Sequence, residues 1–355
     1  AGQVMDHWPA SGNDQGVPAG LDKRAGNVDG SPFHATGDQG GKNLENDRLL
    51  VFRRSAKHIV ITARLAEVRY VRPHGGAVVH RRSKHVVFIV TKFTTMTEQT
   101  QQSPDPAPLY IEKPDGARLA YHKLDGRGPT IVFLGGFMSD MTGTKALTLE
   151  ALARERGQAF LRLDYQGHGQ SSGKFEDGSI GTWLSDALYL IDEVTAGPLV
   201  LVGSSMGGWI MLQTALQRPE RLAGLVGIAA APDFTEDLMW ATFPDEIKQT
   251  LQRDGVYYEP SEYSDEPYTI TMKLIEDGRD HLVMREKMPI SVPVRLLHGM
   301  RDESVPYELS LRIAGNVESE DVQIRFVKDG DHRLSTDRDL EILSQTVAAL
   351  CDAAG

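Results

Sequence analysis

Short apolar runs alternate with amphipathic stretches from about residue 109 onwards. Thr130–Leu134, Leu199–Val202 and Leu222–Ile228 are almost entirely apolar or β-branched, which predicts strands buried on both faces. Ile180–Val194 instead places its large apolar side chains at helical spacing, which predicts an amphipathic helix. Strands that alternate with helices predict an α/β fold whose mainly parallel sheet is covered by helices on both faces.

The same patterns locate the remaining elements. Leu109–Glu112 and Arg118–His122 are separated by turn residues and predict an initial antiparallel hairpin. A long segment at about 232–289 interrupts the alternation and predicts a small cap inserted into a domain that spans residues 109–355. The other predicted strands are Ala159–Leu163, Val294–His298 and Gln323–Val327, and the other predicted helices are Lys145–Arg156, Met206–Gln217, Tyr307–Ala314 and Leu340–Cys351.

Residues 1–95 follow a different pattern. Gly, Asp, Asn and Pro are scattered through the first 48 residues, and a basic stretch from Arg53 to Lys92 alternates Arg and His with Val and Ile. We expect this part to be a disordered or non-native N-terminal extension. Met96 then opens a polar segment, residues 96–108, that is typical of a mobile N-terminus. The hypothesis is that the native product begins at Met96, and an organelle transit peptide is the alternative.

Charge is unevenly distributed along the chain. Residues 1–95 contain 14 Lys and Arg against 8 Asp and Glu, whereas the remainder contains 24 against 41. An acidic domain argues against nucleic-acid binding, which requires clustered basic side chains. No apolar run approaches the roughly 20 residues that a membrane-spanning helix needs. Cys351 is the single cysteine, so no internal disulfide can form, and we expect it to have no catalytic role.

The strongest local motif is GSSMG, residues 203–207, which fits the pattern G-x-S-x-G around Ser205. It stands between a predicted buried strand and a predicted helix. In that context a strained strand-to-helix turn exposes a nucleophilic serine at the carboxyl edge of a sheet. The alternative is a glycine-rich turn without a catalytic role. Ser205 is therefore the candidate nucleophile.

A serine nucleophile needs a base that accepts its proton and an acid that orients the base. In this kind of fold the order along the chain is serine, acid, histidine, with the last two on loops after later strands. Asp302 follows the strand VRLLHG and His332 follows the strand QIRFV, so both fit. Glu303 and Asp233 stay open as alternative acids. The histidines beyond residue 95 that lack the order or the loop position are His122, His168, His281 and His298.

A tetrahedral intermediate also needs hydrogen-bond donors for its negative oxygen. The backbone N–H of Met206, directly after the nucleophile, is the first candidate. The loop after Thr130–Leu134 reads GGFMSDMTGTK, and its glycines let the backbone approach closely, so the N–H of Phe137 is the second. No spacing of Cys, His and Asp indicates a metal site and no phosphate-binding loop occurs, so we expect no metal and no cofactor.

Five blocks of sequence occur in the order FLGGFMSDMTGTKA, RLDYQGHGQSSG, LVGSSMGGWIML, RLLHGMRDESVP and DGDHR. From about Leu109 to the C-terminus they resemble the abhydrolase-domain group of mitochondrial palmitoyl-protein thioesterases and acyl-glucuronide esterases, together with its bacterial relatives. The resemblance implies an α/β-hydrolase fold and the roles of nucleophile, acid and base for Ser205, Asp302 and His332. It offers no counterpart for residues 1–95.

These observations predict a serine hydrolase that cleaves carboxylic esters or thioesters through an acyl-enzyme. The expected partner is a small-molecule ester or thioester, or an S-acylated protein, with no nucleic acid and no membrane span. We expect a monomer or small homo-oligomer. The expected location is cytoplasmic, or mitochondrial if residues 1–95 act as a transit segment. The alternatives are an NAD(P)-binding Rossmann-type oxidoreductase and a non-catalytic hydrolase-like binding module.

The predicted cap mixes aromatic and Met residues with many Asp and Glu. Two interpretations stay open for the apolar side chains: they line a channel for an acyl chain, or they attach the cap to the body. The residues concerned are Met239, Trp240, Phe243, Tyr257, Tyr258, Tyr263, Tyr268 and Met272.

Overall fold

A computed structural model describes residues 107–259 and 267–354, together with the backbone of four strands between residues 47 and 79. The chain divides into two units, residues 1–99 and residues 100–355. The predicted extension and the predicted mobile segment lie mostly outside the described residues, so what was predicted for them stays a prediction.

The described part of the first unit consists of two antiparallel hairpins. The first pairs β1 (Asp47–Arg54) with β2 (Lys57–Arg64). The second pairs β3 (Arg69–Val71) with β4 (Ala77–Val79).

The second unit contains the predicted alternation of strands and helices. The observed elements agree with the predicted ones to within three residues at each end. The strands are β5 (Leu109–Glu112), β6 (Arg118–Leu124), β7 (Arg127–Leu134), β8 (Gln158–Leu163), β9 (Leu199–Ser204), β10 (Leu222–Ile228), β11 (Val256–Glu259), β12 (Tyr268–Thr271), β13 (Val294–Gly299) and β14 (Val322–Val327). The helices are α1 (Thr144–Arg156), α2 (Ile180–Val194), α3 (Met206–Gln217), α4 (Asp245–Asp254), α5 (Met272–Arg279), α6 (Glu308–Asn316) and α7 (Asp337–Ala354).

Eight of these strands form one sheet in the order β14-β13-β10-β9-β7-β8-β6-β5. Pairing is parallel from β14 through β8, and β6 pairs antiparallel with both β8 and β5. The mainly parallel sheet and the initial antiparallel hairpin are therefore confirmed. In such a sheet the carboxyl ends of the central strands meet at one edge, where a functional site is expected.

Alternate side chains of the central strands enter two separate cores. In β7, Val132 and Leu134 join the core under α2, α3 and α6, whereas Ile131 and Phe133 join the core under α1 and α7. Because successive strand residues point to opposite faces, a strand covered on both sides must be apolar at every position. Among the described residues no helix combines the length and apolar character that crossing a bilayer requires.

The segment between β10 and β13 forms the cap. It contains a π-helical turn (Thr235–Trp240), α4, the antiparallel pair β11 and β12, and α5. It has a small core of its own and is joined to the body by hydrogen bonds, one of which runs from the Trp209 indole N–H to the carbonyl of His281, at 3.0 Å. The buried members of that core are Phe243, Leu251, Ile270 and Ile275.

Candidate active site

Ser205 lies at the turn between β9 and α3, at the carboxyl end of the central strand. Its backbone has φ 54° and ψ −119°, a conformation that costs energy for any residue with a side chain. The neighbouring backbone holds it there: the N–H of Ser205 donates to Ile228 O at 2.9 Å, and its carbonyl accepts from Gly208 and Ala231 at 2.8 and 3.1 Å. The strain predicted for this serine is present.

Two glycines of the motif are required by close backbone contacts. A Cβ atom on Gly207 would overlap the carbonyl oxygen of Leu134, at the end of β7. A Cβ atom on Gly203 would overlap the carbonyl of Gly207 across the turn. The glycines therefore let the start of α3 lie directly against the neighbouring strand, which sets the direction in which Ser205 points.

Ser205, His332 and Asp302 form one chain of hydrogen bonds. His332 Nε2 lies 3.1 Å from Ser205 Oγ, and His332 Nδ1 lies 2.8 Å from Asp302 Oδ2. The Asp302 side chain is fully buried and that of His332 is 18% exposed. Asp302 follows β13 and His332 follows β14, so three separate loops bring the predicted residues together.

Four donors surround the carboxylate of Asp302. Its Oδ1 accepts the backbone N–H groups of Ser304 and Val305 at 3.0 and 2.8 Å. Its Oδ2 receives His332 and also lies 3.2 Å from His298 Nε2. Burial by itself would raise the pKa of Asp302, but the hydrogen bonds from His298, His332 and Val305 outweigh burial and lower the pKa well below its usual range. Asp302 is therefore charged at neutral pH.

The two predicted oxyanion donors flank the nucleophile. Met206 is the first residue of α3, so its N–H has no partner within the helix. Phe137 lies in the loop after β7, and within the described part of the chain its N–H donates to no other group. A Cβ atom on Gly136 would lie 3.5 Å from Ser205 Cβ, so this loop passes directly beside the serine. Both amides therefore stay candidates for the oxyanion hole.

The ring of Phe137 joins the body to the cap. Its centroid lies 4.9 Å from that of Phe175 and 6.0 Å from that of Trp183, both in the body. On the cap side it lies 5.8 Å from Phe234 and 6.1 Å from Tyr268. An aromatic cluster therefore adjoins the oxyanion loop.

Most of the apolar cap residues serve the cap itself. Met239, Trp240, Tyr257 and Met272 pack against its core, whereas Tyr268 contacts Phe137. Of these, Met239 also packs against the core of the body, so it alone among the four fits attachment of the cap to the body, and the others build the cap's own core, which neither interpretation anticipated. Tyr268 is the member placed beside the reactive site. Tyr263 lies outside the described residues.

The alternative acids are engaged elsewhere or point to solvent. Asp233 is fully buried and accepts the N–H groups of Val283 and Met284 at 2.8 and 2.9 Å, which closes the base of the cap. Glu303 is exposed. Neither makes a hydrogen bond to His332 among the described residues, so Asp302 is the acid that the structure places in the site.

The competing histidines and the cysteine also have other environments. His168 is buried against the rings of Phe175 and Trp183, and burial lowers its pKa to about 4. His281 Nδ1 binds the carbonyl of Asp277 at 2.8 Å. Burial raises the pKa of the Cys351 thiol to about 11, so it is a poor nucleophile at neutral pH.

The sequence did not predict a role for two residues near the site. His298 was set aside as a strand-end histidine, yet it contacts Asp302; the only signal was its position four residues before the acid. Lys145 is the second residue of α1 and donates from Nζ to the carbonyl of Arg333, the residue after His332, at 2.5 Å. Burial and the nearby charge of Arg333 lower the pKa of Lys145 to about 8. No sequence signal distinguished Lys145 from any other helical lysine.

Comparison with known proteins agrees with this fold. The sequence pattern of the α/β-hydrolase fold family matches residues 129–274. The human mitochondrial palmitoyl-protein thioesterase ABHD10 is 40% identical over 244 residues, which cover 68% of this chain and 79% of that protein. The Mus musculus protein of the same name is 38% identical over 244 residues, covering 68% and 82%.

Solved structures give the same result. The structure of α/β hydrolase domain-containing protein 10 from mouse has a TM-score of 0.66 and 37% identity, and the match covers 70% of this chain and 100% of that chain. A protein from Agrobacterium vitis S4 that is described as a hydrolase also has a TM-score of 0.66, with 39% identity over 69% and 97% of the two chains. With relatives this similar along most of their length, the chain belongs to the α/β-hydrolase family, in the group that contains the ABHD10 thioesterases.

Proposed function

We propose that the protein is a serine hydrolase that cleaves thioesters or carboxylic esters through an acyl-enzyme intermediate. Ser205 is the nucleophile, His332 the general base and acid, and Asp302 the carboxylate that orients His332. The backbone N–H groups of Met206 and Phe137 form the oxyanion hole. The observation that carries the proposal is the continuous hydrogen-bond chain from Ser205 Oγ through the His332 ring to Asp302.

The tautomer of His332 follows from its neighbours. Asp302 Oδ2 is a charged acceptor, so His332 Nδ1 carries a proton and donates it in a hydrogen bond. His332 Nε2 then presents a lone pair to Ser205 Oγ. As the serine oxygen bonds to the carbonyl carbon of the substrate, its proton passes to Nε2 and the carbonyl electrons move to the oxygen. The N–H groups of Met206 and Phe137 stabilise that oxyanion, and losing one such donor typically costs about 10²–10³ in rate.

The intermediate then collapses and the acyl group stays on the serine. The bond to the leaving alkoxide or thiolate breaks, and His332 gives the leaving group the proton it took from Ser205. In the second half-reaction a water molecule loses a proton to His332 and attacks the acyl carbon. Collapse of the second intermediate releases a carboxylic acid and returns the proton to Ser205 Oγ.

The substitution Ser205→Ala tests the proposal. We expect hydrolysis of p-nitrophenyl butyrate to fall by at least about 10³-fold with the fold unchanged, because Ser205 Oγ is the hydroxyl that contacts His332 Nε2. A fluorophosphonate should modify the wild type at Ser205 and leave the variant unmodified. The neighbouring serine gives a matched control, and Ser204→Ala should keep both properties. Unchanged turnover in Ser205→Ala would exclude this mechanism.

The substrate class comes from the relatives and from the aromatic cluster. The relatives are named palmitoyl-protein thioesterases, which supports a thioester or an S-acylated protein as the substrate of this chain. The rings of Phe137, Phe175, Phe234 and Tyr268 adjoin the oxyanion loop and offer an apolar surface to an acyl chain. Paired oxygen and sulfur esters of increasing acyl length, compared by kcat/KM, test this preference. Equal values at every length and for both atoms would contradict it.

The geometry disfavours the two alternative functions. A dinucleotide-binding fold needs a free acidic side chain after the strand that follows the glycine-rich turn. That position is Asp233, whose two oxygens are occupied by the N–H groups of Val283 and Met284. A non-catalytic module would need a broken triad, and Ser205, His332 and Asp302 are all in hydrogen-bond contact.

Location and oligomeric state stay predictions. The mammalian relatives carry the word mitochondrial in their names, which gives the cytoplasmic expectation no support and favours the mitochondrial alternative. The Agrobacterium vitis relative is bacterial. Fractionation of cells that express the protein, and light scattering of the purified chain, would decide these two points.

A further inference from the structure

His298 occupies a buried position behind the catalytic acid. It is the second-last residue of β13, and its side chain is fully buried. Its Nε2 lies 3.2 Å from Asp302 Oδ2 and 3.0 Å from the carbonyl oxygen of Val305, while its Nδ1 lies 2.8 Å from Ser310 Oγ. Every polar atom of this ring therefore has a partner, and one partner is the carboxylate that orients His332.

The partners determine where the proton of His298 lies. Both neighbours of Nε2 are acceptors, a carboxylate oxygen and a peptide carbonyl, so Nε2 carries a proton. Nδ1 can accept a hydrogen bond from the hydroxyl of Ser310, which is itself buried. Ser310 thus holds the tautomer in which Nε2–H faces Asp302.

We propose that His298 is a positioning residue that sets the orientation and the basicity of Asp302, and through Asp302 the proton affinity of His332. The inference rests on the function proposed above. The N–H groups of Ser304 and Val305 fix Oδ1, and the two histidines share Oδ2, so the carboxylate cannot rotate away from His332. The Nε2–H of His298 also withdraws negative charge from Oδ2.

Because His298 and His332 share Asp302 Oδ2, the direction in which the loss of His298 moves the activity profile can be predicted. A donor on Oδ2 makes Asp302 a weaker acceptor, so the imidazolium form of His332 gains less stabilisation from it. Without that donor the negative charge of Oδ2 interacts with His332 alone, which stabilises the protonated form of the His332 ring. The acid limb of the activity profile, which reports protonation of His332, should therefore move to higher pH when His298 loses its donor.

The test compares wild type, His298→Leu and His298→Gln. Leucine removes the donor, whereas the glutamine side-chain amide carries an N–H at about the position of Nε2. The rate of Ser205 modification by a fluorophosphonate and kcat/KM for p-nitrophenyl butyrate are measured from pH 4.5 to 9. The folded fraction is measured by circular dichroism at each pH and the rates are divided by it, so that acid unfolding of a destabilised variant is not counted as a shift of the acid limb.

We expect the acid limb of His298→Leu to move upward by about 0.5–1 pH unit and its plateau kcat/KM to fall by roughly tenfold. In His298→Gln the midpoint should stay within about 0.3 unit of wild type. The other charged groups near the His332 loop, Lys145, Asp331, Arg333 and Asp339, are the same in all three proteins.

Two results would overturn the inference. An acid limb of His298→Leu that coincides with wild type would show that His298 only fills space. An equal shift in His298→Gln and His298→Leu would show that ring shape, and not the donor, sets the midpoint. A wild type that the fluorophosphonate does not modify at all refutes the proposed function itself, and the inference with it, which separates that failure from the other two.

Discussion

The substitution Asp302→Asn changes one atom of the carboxylate into an amide nitrogen, and the surrounding hydrogen bonds decide which one. The Oδ1 position faces the N–H groups of Ser304 and Val305 at 3.0 and 2.8 Å, so it must remain oxygen. The NH₂ group is therefore forced into the Oδ2 position, opposite His332 Nδ1 and His298 Nε2. At neutral pH the amide N–H and the Nδ1–H of His332 would then face each other with no acceptor between them, whereas the Nε2–H of His298 keeps the carbonyl of Val305 as its acceptor.

His332 can relieve this conflict only by changing tautomer. If its Nδ1 gives up the proton and accepts from the amide, its Nε2 becomes protonated and points that proton at Ser205 Oγ. A ring in that state cannot take the serine proton. In serine proteases this tautomer error lowers kcat by about 10⁴, equivalent to about 5.5 kcal/mol of transition-state stabilisation. We expect a loss of the same order here.

The assay is steady-state hydrolysis of p-nitrophenyl butyrate at pH 7 to 9. KM should change little, because the substituted atom is fully buried behind His332 and does not contact the substrate. Glu303→Gln is the matched control, since it makes the same chemical change at the adjacent, exposed position and should stay within about twofold of wild type. If folded Asp302→Asn kept more than a tenth of wild-type kcat, or if Glu303→Gln lost as much, the assignment of the acid would be wrong.

Three further outcomes are expected. The pKa of Lys145 is about 8 in the folded protein and 10.5 ordinarily, so between these values the unfolded chain binds more protons than the folded one. The free energy of unfolding of the wild type should therefore rise with pH relative to that of Lys145→Met. Urea titrations at pH 7.5 and 9.5 measure this, and the absence of a rise would contradict it. Gly207→Ala should destabilise the fold by about 3 kcal/mol or more, because the added Cβ would overlap the carbonyl oxygen of Leu134. The control Gly315→Ala adds a Cβ in open space on α6 and should stabilise the fold by up to about 1 kcal/mol. Similar melting temperatures for the two variants would refute the steric argument. Removal of residues 1–95 should leave the esterase kcat/KM and the circular dichroism melting curve of the second unit unchanged, and a loss of activity would show that the extension belongs to the native enzyme.

The sequence by itself determined the elements and the order of the catalytic groups. Apolar side chains at every position of Ile131–Leu134 require burial on both faces, because successive strand residues point in opposite directions. The glycines of GSSMG permit a tight turn between the predicted strand and the predicted helix, which places Ser205 at the edge of the sheet. Chain order and loop position then favoured Asp302 and His332. All of these are local patterns, readable within a few residues.

Tertiary structure alone decided which side chains meet. Ser205 and His332 are 127 positions apart, and a contact across that distance depends on the order of strands in the sheet. Glu303 and Asp302 are adjacent and chemically alike, yet only the buried one reaches the imidazole. The roles of His298 and Lys145 depend on single contacts, of His298 with Asp302 at 3.2 Å and of Lys145 with the carbonyl of Arg333 at 2.5 Å, which periodicity does not encode. Hydrophobic pattern fixes which face of an element is buried, whereas a hydrogen bond requires atoms of several elements to meet within a few tenths of an ångström.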